Sequence, residues 1–137
     1  MTINKNIPIA DSNILISYFT KDNNYKKAKE AIKEKGCYYN EFILCETVNY
    51  IQNKYSHFHS MDAHRIIVQD SFSFSFLPAL ECLYKPAMDL REKYADNCFA
   101  LTDCIVLVQA ESLGLTVHTS DIKMQNYRAV NVINPLI

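Results

Sequence analysis

The two glycines of this chain each stand where a helical pattern stops and an apolar strand run begins. Gly36 closes YKKAKEAIKEK and leads into CYYN, while Gly114 closes TDCIVLVQAESL and leads into LTVHT. Just past a helix, glycine reaches the left-handed backbone region at no steric cost, so the chain can turn back towards a sheet. Repeated helix-to-strand connections of this kind imply an α/β fold with a parallel sheet.

The remaining elements follow from apolar period and capping residues. Ile7 to Ala10 is expected as a short buried strand, and the apolar run resumes in ILISYF with a period lengthening towards helical. Asp11, Ser12 and Asn13 then occupy a strand-to-helix turn. Asn24 is expected to cap the next helix, which carries Tyr25, Ala28 and Ile32 on one side and lysines on the others. CYYN is a second strand. A helix from Glu41 to about Tyr55 has Phe42, Cys45, Val48 and Ile51 as its apolar row, with Glu46 near its first turns and off that row.

Ser60 or Asp62 caps a helix to about Asp70, with His57 and His59 in the loop before it. SFSFSFL alternates as a strand, and Pro78 and Pro86 bracket the entry to a helix reaching Tyr94. Thr102 is expected as the cap of a helix from Asp103 to Leu113, after which LTVHT and AVNVI supply the fourth and fifth strands.

Length and composition fit one compact domain spanning 1–137: 49% of residues are hydrophobic and 21% charged. No stretch nears the roughly 18 apolar residues of a membrane span, and MTINKN lacks the pattern of a secretory leader, so a soluble, cytoplasmic protein is expected. The five cysteines include no CxxC pair, which argues against a disulfide framework or zinc site and for buried thiols. A net charge of −1 excludes a generally basic nucleic-acid binder, but cations held by carboxylates can still recruit phosphate.

Carboxylates are where chemistry concentrates. Asp11 follows the first strand, Asp121 follows the fourth, Asp103 opens the helix leading into the fourth, and Glu46 lies on the helix after the second. In a parallel sheet with right-handed crossovers all four can face the carboxyl edge, where ligands bind in such folds. Acids so gathered repel one another, and Mg²⁺ or Mn²⁺ relieves the repulsion with the hard-oxygen coordination these ions favour. Taken singly, Glu46 and Asp103 also read as helix-dipole or capping groups, and Asp121 as a turn residue. Asp11 is harder to reduce to that role, because an acid behind a buried strand is costly without a partner.

IPIADSNILISYF, ILCETVNYI, LTDCIVLVQAESLGL and VHTSD resemble, in this order, the signature blocks of PIN-domain ribonucleases. The likeness is closest to the small VapC-type toxins of toxin–antitoxin modules, and it covers essentially the whole chain. It implies a three-layer α/β/α fold around a central, mostly parallel five-stranded sheet. Asp11, Glu46, Asp103 and Asp121 would hold one or two Mg²⁺ or Mn²⁺ ions and cut RNA, while Asn13 and Thr119 would orient ligands or backbone. The resemblance further implies a homodimer and a small antitoxin partner.

The competing reading is a catalytically weak PIN-like module that binds RNA or a protein. Receiver and haloacid-dehalogenase-type domains also cluster acids, but DSN lacks the second acid that either needs near its first. The lysine run Lys26, Lys27, Lys29, Lys33 and Lys35 reads as a solvated face that could also guide RNA from a position near the sheet edge. His118 reads as a packed strand residue, and Asp96 as an exposed helix end or an auxiliary acid.

Overall fold

The computed structural model describes residues 2–137. Its elements run β1 (Ile9–Ala10), α1 (Ser12–Thr20), α2 (Tyr25–Lys35), β2 (Cys37–Tyr39), α3 (Glu41–Lys54), α4 (His57–Gln69) and β3 (Phe74–Phe76). There follow α5 (Tyr84–Lys93), α6 (Leu101–Leu113), β4 (Val117–His118) and β5 (Val132–Ile133). The five strands form one sheet in the order β3-β2-β1-β4-β5. All four pairings are parallel, so the mostly parallel sheet expected from the sequence is parallel throughout.

Strand order places the site. From β1 the chain moves outward through β2 to β3, then returns past β1 to β4 and moves outward again to β5. Right-handed crossovers in opposite directions put their helices on opposite faces, giving three layers. Helices α1, α2, α3 and α4 pack against one another in one layer, and α5 packs on α6 in the other. β1 and β4 are neighbours whose connections diverge, so a crevice opens beyond their carboxyl ends. Asp11 follows one of these strands and Asp121 the other.

The central strands are buried because both faces are covered: Ile9, Val117, Ile14, Leu15 and Leu107 are wholly inaccessible. Gly36 and Gly114 both have positive φ, +74° and +69°. A Cβ on Gly36 would stand 2.9 Å from the carbonyl oxygen of Phe72, so the close passage of the β3 approach also requires glycine there.

Several local expectations shift. α4 begins at His57 because Ser56, rather than Ser60 or Asp62, is its cap, its side chain accepting from the His59 amide at 3.1 Å. The HFH segment is therefore the first turn of a helix, with His59 Nδ1 2.6 Å from Ser56 Oγ. The buried row of α3 is Ile43, Thr47 and Ile51, which leaves Cys45 exposed. Cys82 and Cys98 are exposed too, and only Cys37 and Cys104 are the buried thiols expected of all five. β3 is shorter than SFSFSFL because Asp70 captures the Ser73 amide at 3.2 Å and turns the preceding residues out of the sheet. Asn24 stands at the head of α2, but its side chain makes no capping bond.

Candidate active site

Asp11 is the cap of α1, its Oδ1 accepting from the Ser12 amide at 2.9 Å. Its Oδ2 accepts from the Thr119 hydroxyl at 3.0 Å and from Asn13 Nδ2 at 3.3 Å. Asn13 Nδ2 also reaches Thr119 Oγ1 at 3.0 Å, and its Oδ1 accepts from the Ser120 amide at the same distance. Thr119 Oγ1 in turn accepts from the Asp121 amide at 3.1 Å. Asn13 and Thr119 thereby stitch the end of β1 to the end of β4. The hydroxyl has its one donor and its acceptor capacity committed, which fixes the loop carrying Asp121.

Glu46 comes from across the crevice, in the second turn of α3. One of its oxygens accepts from the Ser12 hydroxyl and the other from Thr102 Oγ1 at 3.2 Å. Thr102 is thus a partner of Glu46 rather than the cap of α6. That helix starts at Leu101, and Asp103 reaches back to accept from the amide of the capping residue Ala100 at 3.1 Å. Asp121 caps a short 3₁₀ turn (Ile122–Asn126), accepting from the Lys123 amide at 3.0 Å, with Lys123 Nζ 3.9 Å away.

These acids feel one another. Burial, then the charge of Asp103 and more weakly that of Glu46, pushes Asp11 up from 3.8 to about 7 against the pull of the Ser12 amide and Thr119. Asp103 is also raised, by burial first and then by Asp121 and Glu46, opposed by the Ala100 amide and Lys123. Asp103 is therefore within electrostatic reach of each of the other three carboxylates. Asp96 is exposed and contributes to neither shift. His118 is lowered by burial and Lys35 against Glu34, with none of the four acids involved.

All the donors are carboxylate oxygens, the chemistry that suits Mg²⁺, Mn²⁺ or Ca²⁺ rather than zinc or copper. Among the described residues no three His, Cys, Asp or Glu side chains stand close enough together to hold an ion as placed. The hydroxyls of Ser12 and Thr102 hold Glu46, and Thr119 and Asn13 hold Asp11, so closing on an ion requires side-chain rotation within this frame. Ser12 and Thr102, read from the sequence only as a turn residue and a helix cap, orient Glu46, and Lys123, which the sequence does not single out, stands 3.9 Å from Asp121.

All five lysines of the run are exposed, the solvated face expected from the sequence. The last turn of α2 leads directly into β2, so Lys33 and Lys35 lie by the amino edge of the sheet. Lys33 Nζ there reaches Ser73 Oγ at 3.2 Å and Asp70 at 3.7 Å.

The profile of the PIN domain family matches residues 9–130, a span that contains all four acids, Asn13 and Thr119. No curated protein matches the sequence. Among solved structures, VapC20 of Mycobacterium tuberculosis, described as a sarcin-ricin-loop-cleaving toxin, superposes with a TM-score of 0.76 at 13% identity, over 88% of this chain and 94% of its own. VapBC2 of Rickettsia felis, bound to a DNA fragment from its promoter, gives 0.72 at 14% identity over 93% and 98%. A toxin–antitoxin complex of Klebsiella pneumoniae gives 0.68 at 18% identity over 93% and 97%.

Proposed function

Since this chain belongs to the PIN-domain family, we propose that it is a divalent-metal-dependent endoribonuclease, a hydrolase of RNA phosphodiester bonds and the toxin of a toxin–antitoxin pair. The observation that carries the reading is Asp11: a buried carboxyl raised to about 7 by its surroundings and by the charges of Asp103 and Glu46. A cluster so short of positive charge, with Lys123 as its near cation, favours an ion of charge +2.

In this reading Asp11, Glu46, Asp103 and Asp121 hold Mg²⁺ or Mn²⁺. The chemistry supplied by such an ion when bound is polarisation of the phosphodiester and a lowered pKa for an attacking water. The protein's part is positional. Asp11 is aimed by Thr119 and Asn13, Glu46 by Ser12 and Thr102, and Asp103 by the Ala100 amide. These contacts hold the backbone frame and the resting rotamers from which the acids turn to close on an ion, which limits the arrangements open to them when substrate arrives. The names of the M. tuberculosis and K. pneumoniae structures support an RNA-cleaving toxin and a small antitoxin partner for this chain. We extend the reading to a homodimer acting in the cytoplasm. No helix among the described residues is long and apolar enough to cross a membrane.

One observation favours the second reading, a catalytically weak module that binds RNA or a protein: the acids are not closed around an ion site as placed. Incubating the purified, antitoxin-free protein with RNA separates the two. The nuclease cuts RNA with Mg²⁺ or Mn²⁺, stops on chelation, and loses the activity in Asp11→Asn. A folded protein that binds RNA and leaves it intact with every divalent metal is the binding module.

A further inference from the structure

Helices α3 and α6 are tied at two points. Low in the fold, Asn40 Nδ2 donates to Gln109 Oε1 at 2.9 Å, and both residues are buried. At the surface, Thr102 Oγ1 donates to Glu46 Oε2 at 3.2 Å. Passing from the first tie to the second, the chain advances from the cap of α3 into its second turn and retreats along α6. At about 1.5 Å per residue, the ties stand roughly 10 Å apart.

Each polar atom of the buried tie is committed. Asn40 Oδ1 accepts from the Ile43 amide at 2.9 Å and so caps α3. Gln109 Nε2 donates to the carbonyl oxygens of Leu77 and Pro78, both at 3.1 Å. Neither amide can turn over without setting donor against donor or acceptor against acceptor. A slip of α6 by one residue would rotate Gln109 by about 100° and leave these buried groups unpaired. An apolar pair could fill the same space, but it would allow neighbouring registers that the amides forbid.

We propose that the Asn40–Gln109 pair sets the register between the head of α3 and α6 and so holds Glu46 beside Asp103, making both amides positioning residues for the acid cluster. The proposal rests on the metal-dependent reading for its functional consequence. Its structural content, that breaking the buried tie releases the surface one, stands apart from that reading.

The test uses Asn40→Ser, which keeps a hydroxyl able to cap α3 but too short to reach Gln109, and Gln109→Met, which keeps length without the amide. Ile67→Ala, in the wholly buried face of α4, serves as a control for lost stability alone. Calorimetric titration with Mn²⁺ should show binding weakened about 10- to 100-fold in each of the two variants. The double variant should be no worse than the weaker single, and Ile67→Ala should bind as the wild type does. Crystal structures of the two variants should show Glu46 parted from Thr102. Folded variants with wild-type Mn²⁺ affinity, or with Glu46 still on Thr102, overturn the proposal. If Asn40→Ser does not fold, Gln109→Met carries the same comparison. If the wild type itself takes up no Mn²⁺, the metal-dependent reading fails, and the Glu46–Thr102 contact in the variant structures alone decides the register proposal.

Discussion

Thr119 donates its hydroxyl to Asp11 Oδ2 across 3.0 Å, joining the ends of two neighbouring strands whose residues are 108 apart in sequence. The same oxygen accepts from the Asp121 amide, so one side chain orients one acid and fixes the loop of another. Replacing it with the near-isosteric Val removes both bonds, together with the one Thr119 accepts from Asn13 Nδ2, and leaves a buried carboxyl short of a donor. Thr119→Val should lose about 1–3 kcal/mol in urea denaturation and bind Mn²⁺ about tenfold more weakly, whereas Thr119→Ser should retain most of both.

Asp11 also makes the metal-free protein sensitive to pH. Its pKa is 3.8 ordinarily and about 7 in the fold, so between these values the folded state keeps a proton that the unfolded chain gives up. Its stabilising contribution is therefore complete below the unfolded value and is lost as pH rises through about 7. The slope is on the order of 1.4 kcal/mol per pH unit within that interval. Denaturation at a series of pH values in chelator should show the wild type losing stability relative to Asp11→Asn as pH rises. Mn²⁺ should restore the wild type at the alkaline end.

Asp103→Asn separates charge from capping. An amide oxygen can still accept from the Ala100 amide, while one negative charge leaves the neighbourhood of Asp11, Glu46 and Asp121. Cleavage of RNA should disappear, and metal-free stability at pH 8 should equal or exceed that of the wild type. A cooperative loss of folding in thermal denaturation would mark Asp103 as a structural cap instead.

What could be read from the sequence depended on how local the physical cause was. Asp11, Asn13, Thr119 and Asp121 lie directly behind apolar strand runs, so the strand pattern itself delivers them to one edge, and the strand order then places β1 beside β4. Gly36 and Gly114 were legible because their positive φ is a property of single residues. Helix starts were harder. Ser56 and Ser60 carry the same capping chemistry, and only the packing of α4, with Ser60, Ala63 and Ile67 inward, selects the earlier one. Thr102 looks like a cap by composition, but its hydroxyl is drawn to Glu46 on a helix more than fifty residues away in sequence. The Asn40–Gln109 pair has no local signature, since each residue derives its role from the other.

The most direct measurement of the central claim, that the four acids form a divalent-cation site, is calorimetric titration of Mn²⁺ into the metal-free protein at pH 7.5, beside Asp11→Asn and Asp103→Asn. Saturable binding in the wild type, with release of only the fraction of a proton that Asp11 still holds above its pKa of about 7, and loss of binding in both variants, is the predicted result. Wild-type Mn²⁺ affinity retained in both folded variants, or RNA cleavage undiminished in excess chelator, would contradict it.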